Sequence, residues 1–130
     1  MKTVLAAVLL LSSMSMAQSA PSAYGQWVLP AMQSGGVTFV MHLRFQQGQV
    51  TEIADCSGFG QTTSVTVTAP GLITATQITV SSGATQSQTV GGLQCTATLS
   101  AGTMNYTVSG DGKTMTVNDG TSSLAITREN

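Results

Sequence analysis

Charge is scarce in this chain. Only 7% of its 130 residues are Asp, Glu, Lys or Arg, against about 25% in an ordinary soluble domain. Four basic and five acidic side chains leave a formal net charge of −1. So few cations cannot neutralise a run of phosphates, which excludes a nucleic-acid binder of the electrostatic kind. Aromatics make up 5%, too few for the two interfacial girdles of a membrane barrel. Histidine occurs once, at His42, and cysteine twice, at Cys56 and Cys95. That set does not make a zinc site. No glycine-rich stretch leads into a helical pattern, so no phosphate cradle is implied, and no cofactor is expected.

What is present is apolar and β-branched. Hydrophobic residues reach 42%, enough for one packed core. Long disorder does not fit, since disordered chains are highly charged and poor in β-branched residues. The length suits a single domain.

Residues 1–17 read as a signal peptide. Lys2 supplies the positive start, and Val4 to Leu11 is an unbroken apolar run. Ser15 and Ala17 place small residues where a signal peptidase reads them. A cut after Ala20 fits less well, because Pro21 would follow it. The apolar run is far shorter than the about 20 residues that span a bilayer. The expected product is a secreted or periplasmic domain over 18–130, not membrane-spanning. In an oxidising compartment its two cysteines, Cys56 and Cys95, allow one pairing, with a pair of buried free thiols as the alternative.

The period is two along the rest of the chain. Val37, Phe39, Met41, Leu43 and Phe45 alternate with Thr38, Val40, His42 and Arg44. The same alternation runs through Leu93–Leu99, Met104–Val108 and Met115–Val117. Each stretch predicts a strand with one dry face and one wet face. Turn signals such as Gly35-Gly36, Gln47-Gly48, Gly91-Gly92 and Asp119-Gly120 separate them by hairpin-sized gaps. The segment 84–90 is mostly polar and reads as a loop or an edge. The pattern predicts an all-β, up-and-down antiparallel β-barrel of about eight to ten strands, with a β-sandwich as the alternative.

Gly25-Gln26-Trp27 opens the first predicted strand with the chain's single tryptophan, and Arg128 closes the last. This layout resembles the lipocalin-like (calycin) barrels. The resemblance implies structural roles for Gly25, Trp27 and Arg128, with the guanidinium packed across the indole to seal one barrel end. It covers the whole exported chain in strand spacing and three positions in motif residues. Gly25-Gln26-Trp27-Val28-Leu29 is also similar to the opening strand of secreted bacterial metalloprotease inhibitors, although those carry a Cys soon after the Trp.

No catalytic constellation is visible. His42 shares an outer face with Thr38, Val40 and Arg44, and the acids are scattered along the chain. Glu52 and Asp55 read as ordinary surface, with a small acidic rim together with Arg44 as the alternative. The expected function is non-enzymatic: if the barrel has a cavity, binding of a small apolar ligand inside it, and if the barrel fills itself, simple core at the same residues. The candidate liners are Phe39, Met41, Leu43, Leu99, Met104 and Tyr106. Phe59, flanked by glycines, is a candidate ligand contact over the barrel mouth or a plug packed against the barrel end. The alternatives are a protein-interaction module, such as an inhibitor using an arm from Gln18 to Tyr24 on a protein partner, or a structural envelope or surface protein. A monomer is expected. Intact-mass spectrometry of the exported protein should give a chain that starts at Gln18 and lacks the two hydrogens of one disulfide. A mass that retains residues 1–17 would overturn the processing expectation.

Overall fold

The computed structural model describes residues 22–129. The expected signal peptide lies outside them. The described residues hold no helix. The strands are β1 (Gly25–Val28), β2 (Met32–Ser34), β3 (Val37–Gln46), β4 (Gln49–Gly58), β5 (Gln61–Ile73), β6 (Gln77–Val80), β7 (Ala84–Val90), β8 (Leu93–Leu99), β9 (Gly102–Val108), β10 (Thr114–Asn118) and β11 (Ser123–Arg128).

Eight of them close an antiparallel barrel in the order β1-β11-β10-β9-β6-β5-β4-β3, with β3 returning to β1. This is the up-and-down barrel expected from the alternation. Short turns enforce antiparallel neighbours, and the one long link in the ring, between β6 and β9, is itself the hairpin β7–β8. The segment left open between loop and edge is an edge strand, β7, and among the described residues it pairs only with β8.

Strand lengths shape the rest. β3 and β4 have 10 residues and β5 has 13, whereas β1 has 4 and β10 has 5. β1 pairs with β3 only over 42–45. The other halves of β3, β4 and β5 therefore project past the ring as a flap, with β2 added along β3. The inner face of that flap would be left wet. β8 covers it over β4 and β5, while β7 lies over β5. Along β8, Leu93, Cys95, Ala97 and Leu99 are buried and the residues between them are exposed. The Cys56–Cys95 disulfide pins this hairpin to β4. The result is a barrel at one end and a two-layer sandwich at the other.

The barrel is full at the end away from the flap. Trp27, Phe45, Ile78, Met115 and Ile126 converge there, each 1% exposed or less. The Trp27 indole N–H donates to the Ala23 carbonyl at 2.9 Å. Arg128 lies over the indole at 4.2 Å from the ring centroid. Its three guanidinium nitrogens donate to the carbonyls of Gly112, Tyr24 and Ser22. Gly25 has φ 119° and faces Arg128 so closely that a Cβ would sit 2.8 Å from Nη1. Both conditions select glycine. The outer wall is dressed with hydroxyls that pair across strands, as Thr79 does with Thr103 and Thr51 with Thr68, the ordinary use of threonine on a pleated surface.

The disulfide closes a loop of 39 residues in sequence. Replacing both cysteines by alanine is expected to lower stability by about 4 kcal/mol in the chain-entropy model, read by urea unfolding. The backbone amides of β7 and β8 should lose hydrogen-exchange protection before those of β10 and β11. Equal loss throughout would show that the hairpin is not the weak layer.

Candidate functional site

Above the packed floor the barrel is hollow. A cavity of about 270 Å³ lies between the ring and the end of the hairpin. Leu43, Val80, Met104, Val117 and Leu124 form its wall, Phe45 and Ile126 its base, and Thr98, Leu99 and Ser100 a partial roof. The short strands on one side of the ring are the reason. β9, β10 and β11 end where the long strands continue, so no side chains reach in from that side to fill the upper layer.

One charged side chain enters this apolar space. Glu52 sits on the inner face of β4 in phase with Val50, Ala54 and Cys56, opposite Leu43 on β3 and Val67 on β5. It is 8% exposed. Its Oε1 accepts a long hydrogen bond, 3.4 Å, from the backbone N–H of Thr98. Burial pushes its pKa above the ordinary carboxylate value, and the Thr98 N–H offsets part of that. Glu52 is neither ordinary surface nor part of an acidic rim with Asp55 and Arg44. The pleat sends residues 52 and 55 to opposite faces, and Arg44 turns to Gln26 Oε1 at 2.9 Å.

Of the candidate liners, the structure brings Leu43, Leu99 and Met104 together around the cavity. Phe39 and Met41 are half-buried on the inner face of the flap. Tyr106 is buried lower in the barrel and donates its hydroxyl to the Thr74 carbonyl. Phe59 stands away from the mouth. It occupies the tip of the β4–β5 turn with φ 52°, is 62% exposed, and lies near Gly36 and Gly92. A wider hollow, about 360 Å³, lies on the flap beside Val40, Asp55 and Ser64. It is more open to solvent than the barrel cavity and gathers no comparable apolar wall.

A second polar cluster straps the outside of the barrel. His42 Nδ1 lies 2.6 Å from Glu129 Oε1, and Nε2 lies 2.7 Å from Asp55 Oδ2. Glu129 also accepts from Gln26 Nε2 at 3.0 Å, and Asp55 accepts from the Ser64 hydroxyl at 2.6 Å. Two of the acids that look scattered in the sequence, Asp55 and Glu129, thus converge on the single histidine. The serine meets the carboxylate rather than the imidazole, so this is no nucleophile–base pair. Its effect is mechanical: it ties the residue after β11 across β1 to β3 and β4. Burial alone would lower the His42 pKa, but hydrogen bonds and charge from Glu129 and Asp55 outweigh it and the net shift is upward. For Glu129, burial would raise the pKa, but the bonds to His42 and Gln26 with the His42 charge bring it down.

The two shifts bracket a pH window. The His42 contribution is complete below its ordinary value of 6.5 and is lost as pH rises through the higher folded value. The Glu129 contribution is complete above its ordinary value of 4.5 and is lost as pH falls through the lower folded value. The strap should therefore stabilise most between pH 4.5 and 6.5. Urea midpoints of the protein and of His42→Gln, compared across pH, should differ most in that window and converge at higher pH. The difference removes the separate effect of Glu52, whose raised pKa also makes stability fall as pH rises. A pH-independent difference would deny the strap its charge.

Comparison with protein-family models, with curated proteins and with solved structures returns no match to this chain.

Proposed function

We propose that this protein is an exported, non-enzymatic, monomeric carrier of the lipocalin-like (calycin) group, holding a small apolar molecule in the upper half of its barrel. The observation that carries the reading is the half-roofed cavity around Leu43, Leu99 and Met104, set on a floor that is already fully packed. Narrow barrels tend to fill themselves with side chains; here the filling stops midway. An apolar cavity of about 150 Å³ already takes benzene, so 270 Å³ suits a ring with a short tail. The volume falls just below the usual range for ligand pockets, about 300–1,000 Å³, which points to a small ligand rather than a long lipid. The Gly25, Trp27 and Arg128 packing has the form that the family resemblance implies. The disulfide suits an oxidising compartment outside the cytoplasm.

Native mass spectrometry of the protein, purified gently from its own exported fraction, tests the reading. A discrete added mass that disappears on organic extraction is expected. Met104→Trp, which places a larger ring in the cavity wall, should abolish that mass while leaving the fold intact by circular dichroism. A bare chain under several mild purifications, with no apolar probe taken up afterwards, would overturn it.

A further inference from the structure

We propose that the ligand class is a small amphiphile with an apolar body and a protonated amine, and that Glu52 holds the amine. This rests on the carrier reading above and adds the chemistry of the head group.

The argument begins with an imbalance of charge. Among the described residues, Glu52 is the one ionisable side chain lining the cavity. Every described cation of the chain is engaged or placed elsewhere. Arg44 is on Gln26, outside the wall. Arg128 is on Trp27 and the carbonyls at the barrel floor. Lys113 is exposed in the turn between β9 and β10. His42 is on the outer face between Asp55 and Glu129. The only ion pairs among the described residues are those two of His42. A carboxylate largely withdrawn from water, its free oxygen reaching only the cavity, with no cation beside it is an unfavourable arrangement, and buried charges in proteins are as a rule paired.

Capping the hairpin edge does not account for it. Val90 and Leu93 close a two-residue turn, which sets the hydrogen-bonding phase of β7–β8 and turns the Thr98 N–H away from β7. Glu52 meets that N–H at 3.4 Å, the long end of the hydrogen-bond range. A neutral glutamine would cap it as well. The charge, and the remaining acceptor capacity of the carboxylate, are left for something in the cavity. A protonated amine answers both. Charge-assisted hydrogen bonds are about twice as strong as neutral ones, and the apolar wall raises the local field. A ligand carboxylate would meet repulsion from the same group.

The test uses three probes of one shape on the full exported chain: 2-phenylethylamine, 2-phenylethanol and phenylacetate. Calorimetry measures affinity, and methyl shifts of Leu43, Leu99 and Met104 report the site. The amine is expected to bind about tenfold or more tighter than the alcohol, with phenylacetate weakest. In Glu52→Gln the gap between amine and alcohol should close while the alcohol keeps its affinity. Equal binding of amine and alcohol, or a gap that survives Glu52→Gln, overturns the amine assignment and leaves the carrier reading standing. Failure of all three probes to bind overturns the carrier reading and the assignment with it. Should Glu52→Gln not fold, the order of the probes on the unmodified protein, read at the same three methyl groups, still decides.

Discussion

Everything in this barrel depends on one four-residue strand. Among the described residues, β1 is the only element that pairs with both β3 and β11, and that pairing turns an open sheet into a ring. A strand that short brings few ladder hydrogen bonds and is weak by itself. The chain reinforces it from both faces. Inside, Trp27 fills the floor and Arg128 lies over its ring while gripping the backbone before β1. Outside, Glu129 bonds Gln26 and His42, and His42 bonds Asp55. Arg44, also outside, holds Gln26 from β3. Four of the chain's few charged residues, with its one histidine, are gathered around this seam. In a chain with so little charge, that concentration identifies where closure needs help.

Closing the ring with a short strand has a geometric consequence. β3, β4 and β5 are more than twice as long as β1, so half of each extends beyond the ring. Their alternation does not stop at the rim, and an apolar face would meet water. The β7–β8 hairpin answers this, and because its second strand carries Leu93, Cys95, Ala97 and Leu99 in phase it needs only one good face. A two-stranded hairpin is marginal alone. The disulfide to Cys56 supplies what its small contact area does not. Where the end of the hairpin meets the rim, the two layers do not quite fit, and the cavity is the mismatch.

The barrel itself was legible because period two, hairpin-sized gaps and glycine turns agree with one another. Trp27 and Arg128 were legible for a different reason: each is rare here, and rarity made their placement at the first and last strands visible. The hairpin's departure from the ring was not legible, because β8 has the same alternation as a wall strand and nothing local says which face it covers. Glu52 was readable in principle. Counting by twos from Val50 to Cys56 puts it on the dry face, whereas reading it beside Asp55 by proximity in sequence puts it on a rim. The gathering of Asp55 and Glu129 on His42 was hidden in a stronger sense, since it links positions 87 residues apart through a barrel closure that only the folded chain supplies. Phe59 stands out in the sequence as an aromatic between glycines, but its left-handed backbone places it at a turn tip rather than over the mouth.

These halves divide the work of the molecule. The floor concentrates the large buried side chains, the indole hydrogen bond and the cation over the ring, so the fold is secured before the upper layer contributes. The upper layer is then free to be imperfect. It keeps a hollow, an exposed Leu124 at its lip and a buried carboxylate with a single long hydrogen bond. An apolar side chain at position 52 would pack against Leu43 and Val67 with no desolvation penalty, so the acid works against stability where it stands. Such a residue is tolerable only because the floor and the strapped seam do not depend on it. The molecule is thus divided between a sealed end that holds the ring and a looser end that carries a buried carboxyl, and the proposed carrier reading draws on that division because a hollow that does not hold the fold together can stay open.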